Sequence, residues 1–245
     1  MARIARVVVP GCAYHVTHRG NRREDIFLRA EDRGVYRDRL IEYAERFALE
    51  IWAYCWMTNH VHLVVVAHRA DSLARAIGNG HRSYARWINL RQGWSGHLWS
   101  NRFYSTALDG ASLFRAVRYV ELNPVRAALV TEAADYRWSS AAAHVRGEED
   151  PVLSSGRPFP GPVGDWAEFL RCGLDPEHLD SLRANTRTGR PTGSPEFVRH
   201  VEETVGRHLG PFPRGRRPGN GKSGTATDLE HWRNSVAVPE FRRRG

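Results

Sequence analysis

Lysine is almost missing from this 245-residue chain: of 36 basic residues, all but Lys222 are arginine. Cysteine is scarce as well. Cys12, Cys55 and Cys172 are an odd, scattered set with no Cys-x-x-Cys pair. That excludes a disulfide framework or a thiolate metal centre and fits a reducing compartment. Long apolar runs are absent, so no stretch could span a bilayer. Arg3 and Arg6 precede only Val7-Val8-Val9 before Pro10, too short for the apolar core of a signal peptide. The expectation is a soluble, cytoplasmic protein. No internal repeat occurs.

What is present is positive charge. With 27 acidic residues the formal net charge is +9. Arginine offers a planar fork that matches phosphate and guanine edges and stacks on bases. Drift toward arginine would explain the ratio of arginine to lysine but not the surplus of charge. A polyanion, nucleic acid above all, is the expected partner. The length allows one sizeable core and a small appendage, or two small domains.

Residues 13–19 have the composition of a strand, closed by Gly20-Asn21-Arg22-Arg23. Residues 31–48 carry Val35, Leu40, Ile41, Ala44 and Phe47 at helical spacing. Two β-rich runs, 51–57 and 61–66, flank Thr58-Asn59-His60 as a close antiparallel pair. Ser72 is placed to cap a helix bearing Leu73, Ile77, Tyr84 and Ile88, which Gly78 and Gly80 weaken. Residues 102–108 form another strand. Ser112 then caps a helix to Asn123, where Pro124 forces a break. The order βαββαβ predicts a ferredoxin-like α+β fold: an antiparallel sheet with both crossover helices on one face and the other face free for a substrate.

Residues 1–147 form the expected main domain. Gly, Pro and charge dominate 148–164, which reads as a linker. Short helices are predicted at 165–172, 176–185 and 195–208, the last with Ser194 as cap and Pro195 at its first position. They make 165–210 a small helical basic extension, followed by a flexible basic tail over 211–245. Within it, Arg214-Gly215-Arg216-Arg217-Pro218 resembles an arginine hook for a minor groove.

His60-Val61-His62 on a strand puts two imidazoles on one face, because side chains alternate with period two. Burying two imidazoles without a shared purpose incurs desolvation twice. With a carboxamide beside them and positions open to phosphate oxygens, the pair suits Mg²⁺ or Mn²⁺. Tyr119 and Asn123, four apart, share a helical stripe. At 100° per residue, Leu113, Phe114 and Val117 lie opposite Tyr119, while Arg115 lies near it. A tyrosine becomes a nucleophile when a metal or base draws its pKa down from about 10. On spacing alone, Tyr119 fits equally well as an amphipathic side chain at a core edge, and Asn123 as a helix end before proline. His15-Val16-Thr17 could be half of a metal-independent phosphoesterase site, but His60-Val61-His62 lacks the second hydroxyl. Arg19, Arg22 and Arg23 crowd one turn with Asn21, and suit a phosphate-gripping loop. Trp94, Trp99, Arg102, Phe103 and Tyr104 interleave aromatics with arginine, as single-strand stacking platforms do.

Three blocks carry a resemblance: Tyr14-His15-Val16-Thr17-His18-Arg19-Gly20-Asn21, Trp56-Met57-Thr58-Asn59-His60-Val61-His62-Leu63-Val64-Val65, and Arg118-Tyr119-Val120-Glu121-Leu122-Asn123-Pro124-Val125-Arg126-Ala127. In order and at fitting intervals, they resemble the signature blocks of single-tyrosine HUH transposases, and most of all the bacterial REP-associated tyrosine transposases. The resemblance covers about residues 5–147. It implies a nuclease acting on single-stranded hairpin DNA, with His60, His62 and Asn123 holding one Mg²⁺ or Mn²⁺ and Tyr119 forming a 5′-phosphotyrosine. It also implies a nucleoid-associated protein of a bacterial cytoplasm, monomeric or homodimeric. The expected DNA contacts are Arg19, Asn21, Arg22, Arg23, Arg102, Arg115, Arg190, Arg214, Arg216 and Arg217. The chain departs from the family pattern at Thr58 (usually proline), His18 (often Gln or another polar residue) and Ala128 (commonly glycine). His18 on the first strand could approach the metal as a fourth ligand. A domesticated binder that holds structured nucleic acid without cutting it is the alternative function.

Overall fold

The computed structural model describes residues 4–159 and 165–210. Strand β1 (Ala13–Arg19) is followed by α1 (Asp32–Arg46), β2 (Leu49–Trp56), β3 (His60–Ala67), α2 (Gly78–Gln92) and β4 (Tyr104–Leu108). The four strands form one sheet in the order β2-β3-β1-β4, antiparallel at each junction. This is the expected ferredoxin-like topology. Tyr14 and Val16 of β1 and Val61, Leu63 and Val65 of β3 are buried in one apolar layer with α1 and α2. Alternation sends Ala13, Val64 and Val66 to the opposite face.

That opposite face is not free, as the alternation alone suggested. Helix α3 (Gly110–Glu121) lies across it, burying Leu113, Ala116, Val117 and Val120 against Ala53, Cys55, Val64 and Val66. Asp109 caps α3, its Oδ1 accepting the Ser112 amide at 2.7 Å, so Ser112 sits inside the helix. A short α4 (Asn123–Arg126) begins with Pro124 in its first turn, where a missing N–H does no harm. Ala128 follows with φ 54°, the left-handed backbone that favours glycine. Ser72 is likewise no cap: its hydroxyl donates to Ala48 O, a π-type turn spans Leu73–Ile77, and α2 starts at Gly78.

Helix α5 (Ala141–Arg146) and α6 (Trp166–Arg171) brace the end of α3 through one buried carboxylate. Glu121 Oε1 accepts from Ser140 Oγ at 2.5 Å and His144 Nδ1 at 2.6 Å, and Oε2 from Trp166 Nε1 at 2.8 Å. Between these helices, Val152 joins the α1/α2 layer and Phe159 the α3 layer. Helix α7 (Pro176–Thr188) lies on the α3 side and contacts β4 and β1. The chain then runs along the β4 edge, with Thr192 N donating to Ala107 O. Helix α8 (Pro195–Val205), capped by Ser194, buries Phe197 and Val201 in the α1/α2 layer. Covering an edge strand in this way removes a row of unpaired backbone groups. Among the described residues, no helix is long and apolar enough to cross a membrane. Arg214, Arg216 and Arg217 lie outside the described residues.

Candidate active site

Strand register sets the first part of the site. Thr17 pairs with His62, and Arg19 with His60, so all four side chains share the α3 face. Gly20 closes β1 where a Cβ would lie 2.1 Å from Glu24 O; only glycine permits this turn. The end of α3 supplies Tyr119, and the start of α4 supplies Asn123. These elements enclose a cavity of about 860 Å³ lined by His15, His60, His62, Tyr119 and Asn123. Among the described residues, five arginines (19, 23, 126, 183 and 187) also line it, and no carboxylate does.

Two ring pairs meet face to edge. His62 and Tyr119 have ring centroids 5.4 Å apart at 89°, and His60 and His62 lie 5.0 Å apart at 81°. Tyr119 is 7% exposed, at the rim of the α3 layer. The Arg126 guanidinium lies 4.2 Å from the centre of its ring, and that of Arg183 lies 5.7 Å away. Arg126 Nη2 also donates to Asn123 Oδ1 at 2.8 Å, while Asn123 Nδ2 donates to Tyr119 O at 3.2 Å.

Burial holds the imidazoles neutral. Desolvation, reinforced by Arg19 and Arg126, lowers the His60 pKa to about 4. Burial, with Arg126, lowers His15 to about 3. His62 falls well below its ordinary value through burial and the neighbouring His60 and His15. Neutral imidazoles keep the lone pairs that a metal ligand needs. The outer nitrogens are engaged: His60 Nδ1 donates to Asn59 Oδ1 at 2.7 Å. His62 Nδ1 lies 3.0 Å from His15 Nε2, and His15 Nδ1 lies 2.9 Å from Thr186 Oγ1 of α7. When His62 donates to His15 and His15 to Thr186, both His60 and His62 keep a lone pair on Nε2.

Among the described residues, no group of three His, Cys, Asp or Glu side chains could hold a metal ion. The donor set here is two neutral imidazoles and the Asn123 carboxamide, whose oxygen has a second lone pair beside the one facing Arg126. That chemistry fits one divalent cation whose remaining positions are filled by phosphate oxygens.

The other expected contacts separate. Arg19 and Arg23 line the cavity. Asn21 and Arg22 open onto an adjoining hollow with Trp94. Arg102 borders a groove at the opposite side of β1. Arg115 stands against His178, Nη1 to Nδ1 2.7 Å, in a smaller hollow. Arg190 Nε donates to Leu209 O at 2.9 Å and does not line the cavity. His18 cannot be a fourth ligand. Its parity turns it to the helix side, with Nδ1 2.7 Å from His81 Nδ1 and its ring stacked 4.5 Å from Trp99. Trp99 and Phe103 are buried in the core, whereas Trp94 is exposed. Both ring nitrogens of His15 have partners within the protein, Thr186 and His62.

Arg126, Arg183, Thr186 and Arg187 line the cavity without a role in the sequence expectation. Arg183, Thr186 and Arg187 stand at i, i+3 and i+4, a polar stripe legible on a helical wheel. Arg126 lies one turn beyond Asn123.

Residues 8–123 match the family "Transposase IS200 like". A REP-associated tyrosine transposase, solved bound to a REP hairpin, aligns over 63% of this chain and 92% of that one, with TM-score 0.50 and 20% identity. A protein of Deinococcus radiodurans R1 assigned as a transposase aligns over 49% of this chain and 95% of that one, at TM-score 0.35 and 22% identity. No curated protein sequence matches the chain. Residues 8–123 are thus similar to the IS200-like transposases. In fold the chain is similar to that REP-associated tyrosine transposase.

Proposed function

We propose that the protein cleaves and rejoins single-stranded DNA beside hairpins, with Tyr119 as nucleophile. The observation that carries this reading is the convergence of Tyr119, His60, His62 and Asn123 in one cavity that, among the described residues, five arginines line without a carboxylate. Arg19, Arg23, Arg126, Arg183 and Arg187 grip the phosphates on either side of the scissile bond. The Tyr119 oxygen attacks phosphorus in line and loses its proton. The bond to the 3′-oxygen of the preceding nucleotide breaks, and that oxygen leaves as a 3′-hydroxyl. The 5′-phosphate stays on tyrosine. In the reverse step a 3′-hydroxyl of another end displaces Tyr119, so rejoining needs no nucleotide cofactor. His60, His62 and Asn123 would hold Mg²⁺ or Mn²⁺, which supplies Lewis-acid polarisation of a phosphate oxygen. The guanidiniums near the Tyr119 ring neutralise charge that develops on the phosphate.

The Arg126 hydrogen bond to Asn123 Oδ1 favours a second reading, a binder that holds hairpin DNA without cutting it. Labelled hairpin DNA with an unpaired flank separates the two. Cleavage that needs Mn²⁺, stops with EDTA and disappears in Tyr119→Phe supports strand transfer. Tight, salt-sensitive binding without cleavage under any divalent ion contradicts it.

A further inference from the structure

A second cavity lies on the helix side of the sheet, across β1 and β4 from the first. Consecutive residues divide between the two: Tyr104 and Arg19 line the first cavity, and Phe103 and His18 line the second. The second cavity measures about 770 Å³. Its wall is the outer stripe of α2, where Arg82 and Arg86 stand four apart and exposed. Arg102 faces them from the segment before β4. Among the described residues, four arginines and three histidines line the groove, and no carboxylate does. At its rim, Trp94 is 49% exposed and Leu90 73%.

The backbone that carries the exposed indole is held in place. Gly93 ends α2 with φ 65°, Trp94 N donates to Asn89 O at 2.9 Å, and Asn89 Nδ2 donates to Gly96 O at 3.0 Å. A half-exposed indole on an anchored turn beside arginines has the form of a base-stacking platform. The hollow holding Asn21 and Arg22 shares Trp94 and Leu98 with this groove. Arg19 and Arg23 at the ends of that turn belong to the first cavity. The turn at 19–23 therefore joins the two cavities through a hollow that Arg22, Glu24 and Asp25 line together.

We infer that this groove binds unpaired nucleotides of the DNA strand on one side of the cleaved bond, stacking a base on Trp94 and pairing phosphates with Arg82, Arg86 and Arg102. The inference rests on the DNA-cleaving reading above and adds a site that the chemistry does not require. The charge selects a polyanion over a neutral or basic peptide. A groove of this volume takes single nucleotides rather than a duplex.

The test compares two probes, a blunt DNA hairpin and the same hairpin with an unpaired oligo-dT extension at its 5′ or its 3′ end. Affinity and covalent adduct at saturating DNA are scored separately. Trp94→Ala should weaken binding of one extended hairpin about tenfold, and Trp94→Phe by far less. Binding of the blunt hairpin should not change. Replacing both Arg82 and Arg86 with Gln should flatten the salt dependence for the extended hairpin by roughly one to one and a half in log–log slope. Equal affinity of Trp94→Ala and wild type for both extended hairpins overturns the inference, as does an equal loss on the blunt hairpin. A selective loss without any adduct supports the groove and contradicts the catalytic reading. An adduct without a selective loss does the reverse. A wild type that binds neither probe overturns both.

Discussion

His15 stands between His62 and Thr186, with one ring nitrogen 3.0 Å from His62 Nδ1 and the other 2.9 Å from Thr186 Oγ1. The His15 and His62 rings are stacked within 7° of parallel. Helix α7, from the basic extension, therefore orients a side chain in the centre of the cavity. Outer partners of this kind fix the tautomer and aim of a metal-binding imidazole.

Thr186→Val should loosen that chain while keeping the shape of the side chain. Mn²⁺ affinity of the Tyr119→Phe protein bound to DNA, read by electron paramagnetic resonance, should fall about tenfold or more. Thr186→Ser should restore it. Equal affinity in all three proteins would show that the contact is only packing.

The cavity's charge makes a prediction about metal and DNA together. Among the described residues, five guanidiniums with no carboxylate line the cavity and repel a divalent cation until phosphates enter. Calorimetry should find weak Mn²⁺ binding to the protein alone, in the millimolar range (~1 mM), and much tighter binding with DNA present. His60→Ala should remove the DNA-dependent gain. Tight binding without DNA would contradict the donor set described.

Buried neutral histidines make stability depend on pH. His15 and His60 titrate near 3 and 4 in the folded chain instead of 6.5, and His62 is also well below 6.5. The unfolded chain thus binds more protons as pH falls from 6.5, so their stabilising contribution is complete above 6.5 and is lost progressively toward pH 4 and below. Each tenfold difference in proton affinity is worth ~1.4 kcal/mol, so the loss amounts to several kcal/mol. Urea midpoints should drop between about pH 7.5 and pH 4.5, and drop less in His15→Gln. A pH-independent midpoint would refute the burial argument.

Ala128 carries a backbone strain that can be relieved. Its φ of 54° places Cβ against the following carbonyl. Ala128→Gly should stabilise the chain by up to about 1 kcal/mol, less the added entropy of the unfolded glycine. A lower thermal midpoint for the variant would contradict this.

The sheet was legible because period-two alternation survives in β1 and β3, and the same parity paired His60 with His62. Parity also decides His18 against the metal, since it is odd-numbered steps away from His15 and Thr17 on the same strand. Trp99 and Phe103 show the limit of composition: arginine–aromatic interleaving looks the same in a core as in a platform, and only burial separates them from Trp94. Thr186 could not be reached from local pattern, because its partner His15 lies 171 residues away. The cap at Asp109 went to the residue three before Ser112, where the aspartate carboxylate reaches a free helix amide.

Peptide mapping of the protein–DNA adduct tests the central claim most directly. Hairpin DNA labelled on the 3′ side of the cut should yield, after denaturation and proteolysis, one DNA-bearing peptide with the 5′-phosphate on Tyr119. The free fragment should end in a 3′-hydroxyl. A linkage at another residue, a 3′-phosphate attachment, or an adduct that persists in Tyr119→Phe would contradict the account.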